Sequence, residues 1–359
     1  MTGQKQVTSS DVAKLAGVSR TTVSFVLNNA PNAQIPEETR QRVLMAAQQL
    51  GYYPNAAARS LASQHTNNIG VLLCQSADRL FADVFLMEVL SGIHQVIRPK
   101  GYHILVEAVE DVTAPDAYIG LVRSRHIDGL MVSGPRADDT QLPRIHAERF
   151  PVVLLGRLPN SDLCQVDVDN VRGARAAVEH LLALGHRRIA FISNGPLVYT
   201  ASRDRLRGYV AALTTAGVPH DESLVRYGNF SRASGYAAMQ SLLELPERPT
   251  AVFVASDVVA FGALAALRDA GVHVPDEMAV IGFDDVPLAD QVTPPLTSLH
   301  LPARELGQTA AEILLKLIAG EAITNRLVSL DTRLVIREST GKPGTLQSQP
   351  DMAASQDTR

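Results

Sequence analysis

Cysteine is almost missing from this 359-residue chain, which has only Cys74 and Cys164. They sit far apart in apolar runs, and no CxxC or Cys/His metal spacing occurs. A disulfide framework and a structural zinc site are thereby excluded, and two buried free thiols suit a reducing compartment. Long apolar runs are missing too. Stretches such as residues 69–74 and 279–283 end well short of the roughly 20 residues that span a bilayer, so no transmembrane helix is expected. Residues 1–10 are polar with one Lys and lack an apolar core segment, unlike a secretory signal; the expected location is the cytoplasm. The catalytic signatures are also absent, with no Gly-rich phosphate loop, GxSxG elbow or HExxH. Asp284 and Asp285 are neighbours whose side chains tend to point apart, which does not make a glycosidase pair. His180 and His186, at i and i+6, do not share a helix face and read as helix-terminal hydrogen-bonding residues instead of metal ligands. No enzyme, metal or cofactor is expected.

What is present is ordinary for a folded protein: 46% hydrophobic and 19% charged residues, with a net charge of −4. The charge is unevenly placed. Residues 1–65 carry +3 and the remainder −7, the asymmetry expected when a small basic module meets phosphate and a larger body does not.

The basic head reads as three short helices. Thr8 and Asp11 fit a capping box, followed by Val12, Leu15 and Ala16 at helical spacing, and Gly17-Val18 ends that helix. Ser19 caps a second helix through Leu27 whose inward stripe is Val23, Val26 and Leu27. Pro36-Glu37-Glu38 opens a third, with Val43, Ala47 and Leu50 inward and Gly51 as its stop. The Ala-rich residues 56–62 favour helix but are too few to hold one alone, so they read as a conditional helix.

From Ile69 onward apolar β runs alternate with amphipathic helical segments, the pattern of parallel sheets wrapped by helices. Residues 69–74, 102–108, 129–133 and 152–156 form one strand series. A second begins at 165–168 and continues through 189–193, 224–227, 251–255 and 279–283, implying two similar lobes with a cleft between them. Residues 297–301 and 327–336 read as late strands that return across the lobes, flanking a helix over 302–319. The Gly-, Pro-, Gln- and Ser-rich tail after Ser339 reads as disordered and carries no leucine heptad, so a heptad-joined tetramer is not expected. The expected division is a helical head over 1–54, a linker with the conditional helix over 55–67, a two-lobed body over 68–340 and a tail over 341–359.

The most informative stretch is residues 12–28. A capped helix, a Gly-containing turn and a second helix with a polar first turn form either a helix-turn-helix for the major groove or an ordinary helical hairpin. Here the chain resembles the lactose/galactose repressor family of bacterial regulators. The head carries Asp11-Val12-Ala13, Ala16-Gly17-Val18-Ser19, Thr22-Val23-Ser24, Val26-Leu27-Asn28 and Gly51-Tyr52-x-Pro54-Asn55 with Ala58 and Leu61. The body carries Val178-Glu179-His180-Leu181, Leu184-Gly185-His186-Arg187-Arg188-Ile189, Arg205-x-x-Gly208-Tyr209, Ser256-Asp257, Gly282-Phe283-Asp284-Asp285 and Pro295-Leu296-Thr297-Ser298. The resemblance spans roughly residues 7–338.

It implies an all-α helix-turn-helix head with a hinge helix and an α/β two-lobed body like periplasmic binding proteins. It further implies a homodimer on a near-palindromic operator, responsive to a small effector, usually a sugar or derivative. Ser19, Arg20, Thr21, Thr22, Phe25 and Asn28 would face DNA. Arg20 can bond guanine in two places; Phe25 either offers apolar contact, where the family more often has a polar residue, or packs inward. Asn55, Ala58 and Leu61 would belong to a hinge helix formed on DNA, with Leu61 the minor-groove wedge. Leu80, Phe81, Arg157, Tyr199, Arg205, Phe230, Asp257 and Asp284 would contact effector at the carboxyl ends of strands; for Arg205 and Asp284 the alternative is a structural ion pair, and for Arg157 and Asp257 a turn-stabilising role. Two other functions fit a two-lobed body: a solute-binding protein without a regulatory role, and an enzyme acting on a sugar in the cleft.

Overall fold

The computed structural model describes residues 7–27, 34–53, 65–80 and 83–341. The hinge residues Asn55, Ala58 and Leu61, together with Asn28, Phe81 and the tail after Gly341, lie outside the described residues. The chain divides into two units, Met1–Asn67 with Arg125–Ile127, and Asn68–Ser124 with Asp128–Arg359.

The head is three helices, Ser9–Ala16, Arg20–Leu27 and Glu37–Leu50. Asp11 Oδ2 accepts from both Thr8 N and Thr8 Oγ1, at 2.8 and 2.7 Å, fastening the first turn. The second helix starts where Ser19 Oγ accepts from Thr22 N at 3.0 Å. Gly17 takes a left-handed φ of +66°, which lets the chain turn tightly between the two. Val12, Ala13, Ala16, Val23, Val26, Val43, Ala46 and Ala47 make the core. Leu15, expected inward, is instead 48% exposed. Small Ala13 and Ala16 let the helices approach closely, and that leaves no room for Leu15 on the buried stripe.

The body contains two six-stranded sheets. In chain order the strands are β1 (Asn68–Leu73), β2 (His103–Ala108), β3 (Gly129–Ser133), β4 (Val152–Leu155), β5 (Cys164–Val168), β6 (Ile189–Ser193), β7 (Val225–Tyr227), β8 (Ala251–Val254), β9 (Ala279–Asp284), β10 (Thr297–His300), β11 (Leu327–Leu330) and β12 (Arg333–Val335). The sheet orders are β11-β5-β4-β3-β1-β2 and β12-β10-β9-β8-β6-β7. All pairings are parallel except β10 with β12. Two expectations are corrected. The strand at 164–168 does not open the second lobe; it closes onto β4, with Val153 opposite Cys164. Residues 327–336 are not one strand either. β11 pairs with β5 in the first sheet and β12 with β10 in the second, so the chain changes lobe between Leu330 and Arg333. A period-2 pattern cannot show that break, because both halves alternate in the same way.

Each lobe is clamped by a helix pair with reciprocal glycines. On helices Val84–Ile97 and Ala303–Ile318, a Cβ at Gly92 would lie 2.0 Å from Arg304 O, and one at Gly307 would lie 2.2 Å from Val89 O. On helices Arg232–Leu243 and Asp257–Asp269, Gly235 and Gly262 meet Val259 O and Arg232 O, each at 1.9 Å. Backbone faces backbone at these contacts, so a side chain has nowhere to go. Gly235→Ala is therefore expected to destabilise the body by about 1–3 kcal/mol through overpacking. Gly120→Ala, where nothing lies within 4 Å, should be neutral or stabilise by up to about 1 kcal/mol. Urea denaturation of the two variants checks the contrast, and equal midpoints would refute it.

Candidate functional sites

On the second head helix, Arg20, Thr21, Ser24 and Phe25 are all exposed. Their i, i+1, i+4, i+5 spacing puts them on one face, opposite buried Val23 and Val26. Phe25, at 43% exposure, is not a core residue. Ser19 and Thr22 share a 2.9 Å hydroxyl contact, so both serve the helix start. The face combines a guanidinium, two hydroxyls and an aromatic ring.

In the body, a cavity of about 120 Å³ lies at the carboxyl ends of the strands. Gln75 follows β1, Ser133 ends β3, Asn194 follows β6, Ser256 follows β8 and Asp284 ends β9; all line it. At its centre is Arg205, only 6% exposed. Arg205 Nε donates to Asn170 Oδ1 at 2.9 Å and Nη1 to Ala255 O at 2.6 Å. Asp284 Oδ1 is 3.6 Å from Nη1, and the guanidinium lies over the Phe283 ring at 3.7 Å. Phe283 closes a ladder of rings, Phe191–Phe253 at 5.5 Å and Phe253–Phe283 at 6.4 Å, that runs across neighbouring strands β6, β8 and β9. The aromatic core of the second lobe thus forms the floor beneath the charge.

Three carboxylates line the same cavity: Asp83, Asp167 and Asp284. Asp83 caps the helix Val84–Ile97, accepting from Phe85 N at 3.1 Å. Asp167 accepts from Val168 N at 2.8 Å and from Asn170 Nδ2. Burial pushes the Asp284 carboxyl up to about 7, opposed by Arg205 and reinforced by Asp83. Burial likewise raises Asp83 and Asp167 to about 6 each, against their backbone hydrogen bonds and Arg205. Burial also lowers Arg205, against the attraction of the carboxylates.

Tyr199 and Phe230 also line the cavity, edge to face with centroids 4.8 Å apart. Tyr199 reaches across the cleft, its hydroxyl donating to Cys74 O. Nearby, Ala137 N donates to Val198 O at 2.9 Å, and Arg136 lies 5.5 Å from the Tyr199 ring centre. Phe230 holds φ +51° with its ring against Gly195.

Of the expected effector contacts, Tyr199, Arg205, Phe230 and Asp284 line the cavity; Asp257 and Arg157, both described, do not. Asp257 is fully buried with both oxygens occupied, Oδ2 accepting from Val286 N at 2.9 Å and Oδ1 from Ser298 Oγ at 2.6 Å. It ties β9 and β10 to a helix start. Arg157 is exposed, one residue beyond Gly156. Leu80 ends the short helix Ala77–Leu80. Asp83, Asp167 and Asn194 were not anticipated. Only Asp83 had a sequence signal, as an N-cap ahead of an apolar helix.

Among the described residues there is no cluster able to hold a metal ion, and no helix is long and apolar enough to cross a membrane. His180 and His186 instead meet Thr340 Oγ1 and Thr250 Oγ1, at 3.1 and 3.0 Å. Burial pushes the Cys74 thiol, in the cavity wall, far above its usual range, away from the nucleophilic thiolate.

Residues 8–55 match the model of bacterial regulatory proteins of the lacI family, and residues 178–340 that of a periplasmic binding protein-like domain. The HTH-type transcriptional regulator CelR of Thermobifida fusca is 36% identical over 331 residues, covering 91% of this chain and 96% of the relative. The chain belongs to the LacI family of bacterial regulators. The transcriptional repressor PurR of Photobacterium profundum is 33% identical, with 92% and 97% covered. Among solved structures, a lac repressor dimer bound to operator and the anti-inducer ONPF aligns with TM-score 0.83 at 31% identity, covering 94% of this chain and 100% of that one. A complex of the regulator CelR with cellobiose aligns with TM-score 0.72 at 35% identity, covering 93% and 100%. As a LacI-family member the chain is a ligand-responsive, DNA-binding transcriptional regulator and not an enzyme.

The raised cavity carboxyls have a pH consequence. Between about pH 4 and about pH 7 these three carboxyls bind more protons in the folded body than in the unfolded chain, so their contribution lowers stability as pH rises through that window. Asp284→Asn removes one such group. Its stability relative to the parent should shift in its favour by roughly 1 kcal/mol or more between the two ends of that range. Urea titrations at several pH values measure this, and a difference that stays constant with pH would contradict it.

Proposed function

We propose that the chain is a homodimeric cytoplasmic repressor of carbohydrate-uptake or catabolic genes, and that a sugar or sugar derivative bound in the Arg205–Asp284 cavity sets its operator affinity. The observation that carries this reading is the cavity itself. A buried guanidinium and carboxylates can bond ligand hydroxyls in donor and acceptor pairs, with Phe230 and Tyr199 supplying apolar faces. CelR, a relative across nearly the whole chain, has been solved with cellobiose. The heads would act in pairs on a near-palindromic operator, each placing Arg20, Thr21 and Phe25 against base edges with Ser19 and Thr22 near phosphate. Asn28, and a hinge at 55–67 with Asn55, Ala58 and the wedge Leu61, complete the proposed DNA surface.

Effector and operator are coupled by linkage. A ligand that favours one arrangement of the lobes shifts the population, and operator affinity changes by the same free energy. The Tyr199–Cys74 bond and the strand-end carboxylates lie on both sides of the cleft, so a ligand there senses lobe closure directly.

Arg20→Ala is expected to cost about 1–3 kcal/mol and to relax preference at one base pair per half-site. Binding-site selection reads this; an unchanged consensus with uniform weakening would make Arg20 a phosphate contact. Asp284→Ala and Arg205→Ala are expected to weaken effector binding about tenfold or more while operator recognition survives. Operator titrations with and without ligand then report the sign: permanent repression means the effector releases DNA, and failure to repress means it is a corepressor. Normal ligand affinity in both variants would move the site elsewhere.

A further inference from the structure

Asn194 Oδ1 is one of two buried side-chain polar atoms without a hydrogen-bond partner among the described residues; the other, Ser202 Oγ, does not line the cavity. Asn194 is 5% exposed and does line it. An acceptor left in that condition is unfavourable, and the backbone that carries it is held in place. Its own carbonyl accepts from Phe230 N at 2.7 Å. On one side of it, Ser193 Oγ donates to Gly195 O at 2.7 Å and accepts from Gly228 N at 3.1 Å. On the other, the Phe230 ring is packed on Gly195. The backbone is pinned, and the side chain faces the cavity.

The cavity's other polar groups include Gln75, Ser133, Tyr199, Thr200 and Ser256, which can donate or accept, beside three carboxyl groups. Asp83, Asp167 and Asp284 stand against the single guanidinium of Arg205, whose Nε and Nη1 already donate to protein oxygens. Such a lining suits a ligand rich in hydroxyls, which donate and accept alike. An anionic ligand would meet three carboxyl groups against one guanidinium, and its charge would be opposed to the extent that those groups are ionised.

We propose that Asn194 is a specificity-determining residue whose side-chain oxygen accepts a hydrogen bond from a hydroxyl of an uncharged, polyhydroxylated effector, in a cavity whose acidic lining turns away phosphorylated and carboxylated ones. The inference rests on the cavity being the effector site. It narrows that site from sugars and derivatives in general to neutral sugars, and adds a residue that neither motif nor family resemblance singled out.

The test is calorimetry of the full chain with four probes, cellobiose and glucose and the 6-phosphate of each, on the parent, Asn194→Leu and Asn194→Asp. Operator binding of the parent is measured in parallel. The expected result is binding of a neutral sugar without its phosphate, about tenfold or more weaker in Asn194→Leu and largely retained in Asn194→Asp, which keeps an acceptor. A phosphate bound as tightly as its parent sugar overturns the charge selection. Equal affinities in the parent and Asn194→Leu, or equal losses in both variants, overturn the acceptor role. Binding of none of the four probes, with operator binding intact, overturns the proposal together with the sugar reading and leaves the DNA-binding assignment in place.

Discussion

The body is arranged around a guanidinium that has left water. Arg205 reaches in from the helix Thr200–Thr215 and touches Asn170 at the start of another helix, Ala255 O after β8, and Phe283 and Asp284 on β9. Removing one member of a buried charge pair costs about 3–5 kcal/mol, because the other is left uncompensated. Each element Arg205 touches is therefore held in place by the same charge. The carboxylates around it are less ionised than exposed ones would be, so charge is balanced by proton uptake as well as by pairing.

The two sheets bring that charge to the cavity. Parallel strands deliver their carboxyl ends to one edge of each lobe, and the cavity lies where those edges face each other across the cleft. Reciprocal glycine contacts keep an outer helix pair of each lobe at backbone distance. The lobes are joined by three passages, β5 to β6, β10 to β11 and β11 to β12. That is the geometry in which a small ligand can bias a large movement.

The head uses different physics. Its core is built from small residues, alanine and valine, which let short helices lie close together but leave Leu15, Phe25 and Met45 substantially exposed. An exposed aromatic ring beside Arg20 adds little to folding. The role proposed for it is contact with DNA, where the apolar feature of the major groove is the thymine methyl.

The helix-turn-helix was legible because its determinants are local: Ser19 caps, Gly17 turns, and Val23 and Val26 mark the inner stripe within one window. The alternation of strands and helices was legible from apolar periodicity, and the cavity positions of Arg205 and Asp284 through the family resemblance. The lobe to which β5 belongs, the break between β11 and β12, the enclosed role of Asp257 and the cavity positions of Asp167 and Asn194 were not. Each depends on which distant segment a strand or side chain meets, and hydrophobic period is the same for every possible partner. The sequence by itself determined the kinds of element and the DNA-facing helix, since local hydrogen bonding and side-chain volume act over a few residues. Tertiary structure alone decided which polar groups share a buried space, because desolvation and pairing are properties of the assembled cavity and of no single segment.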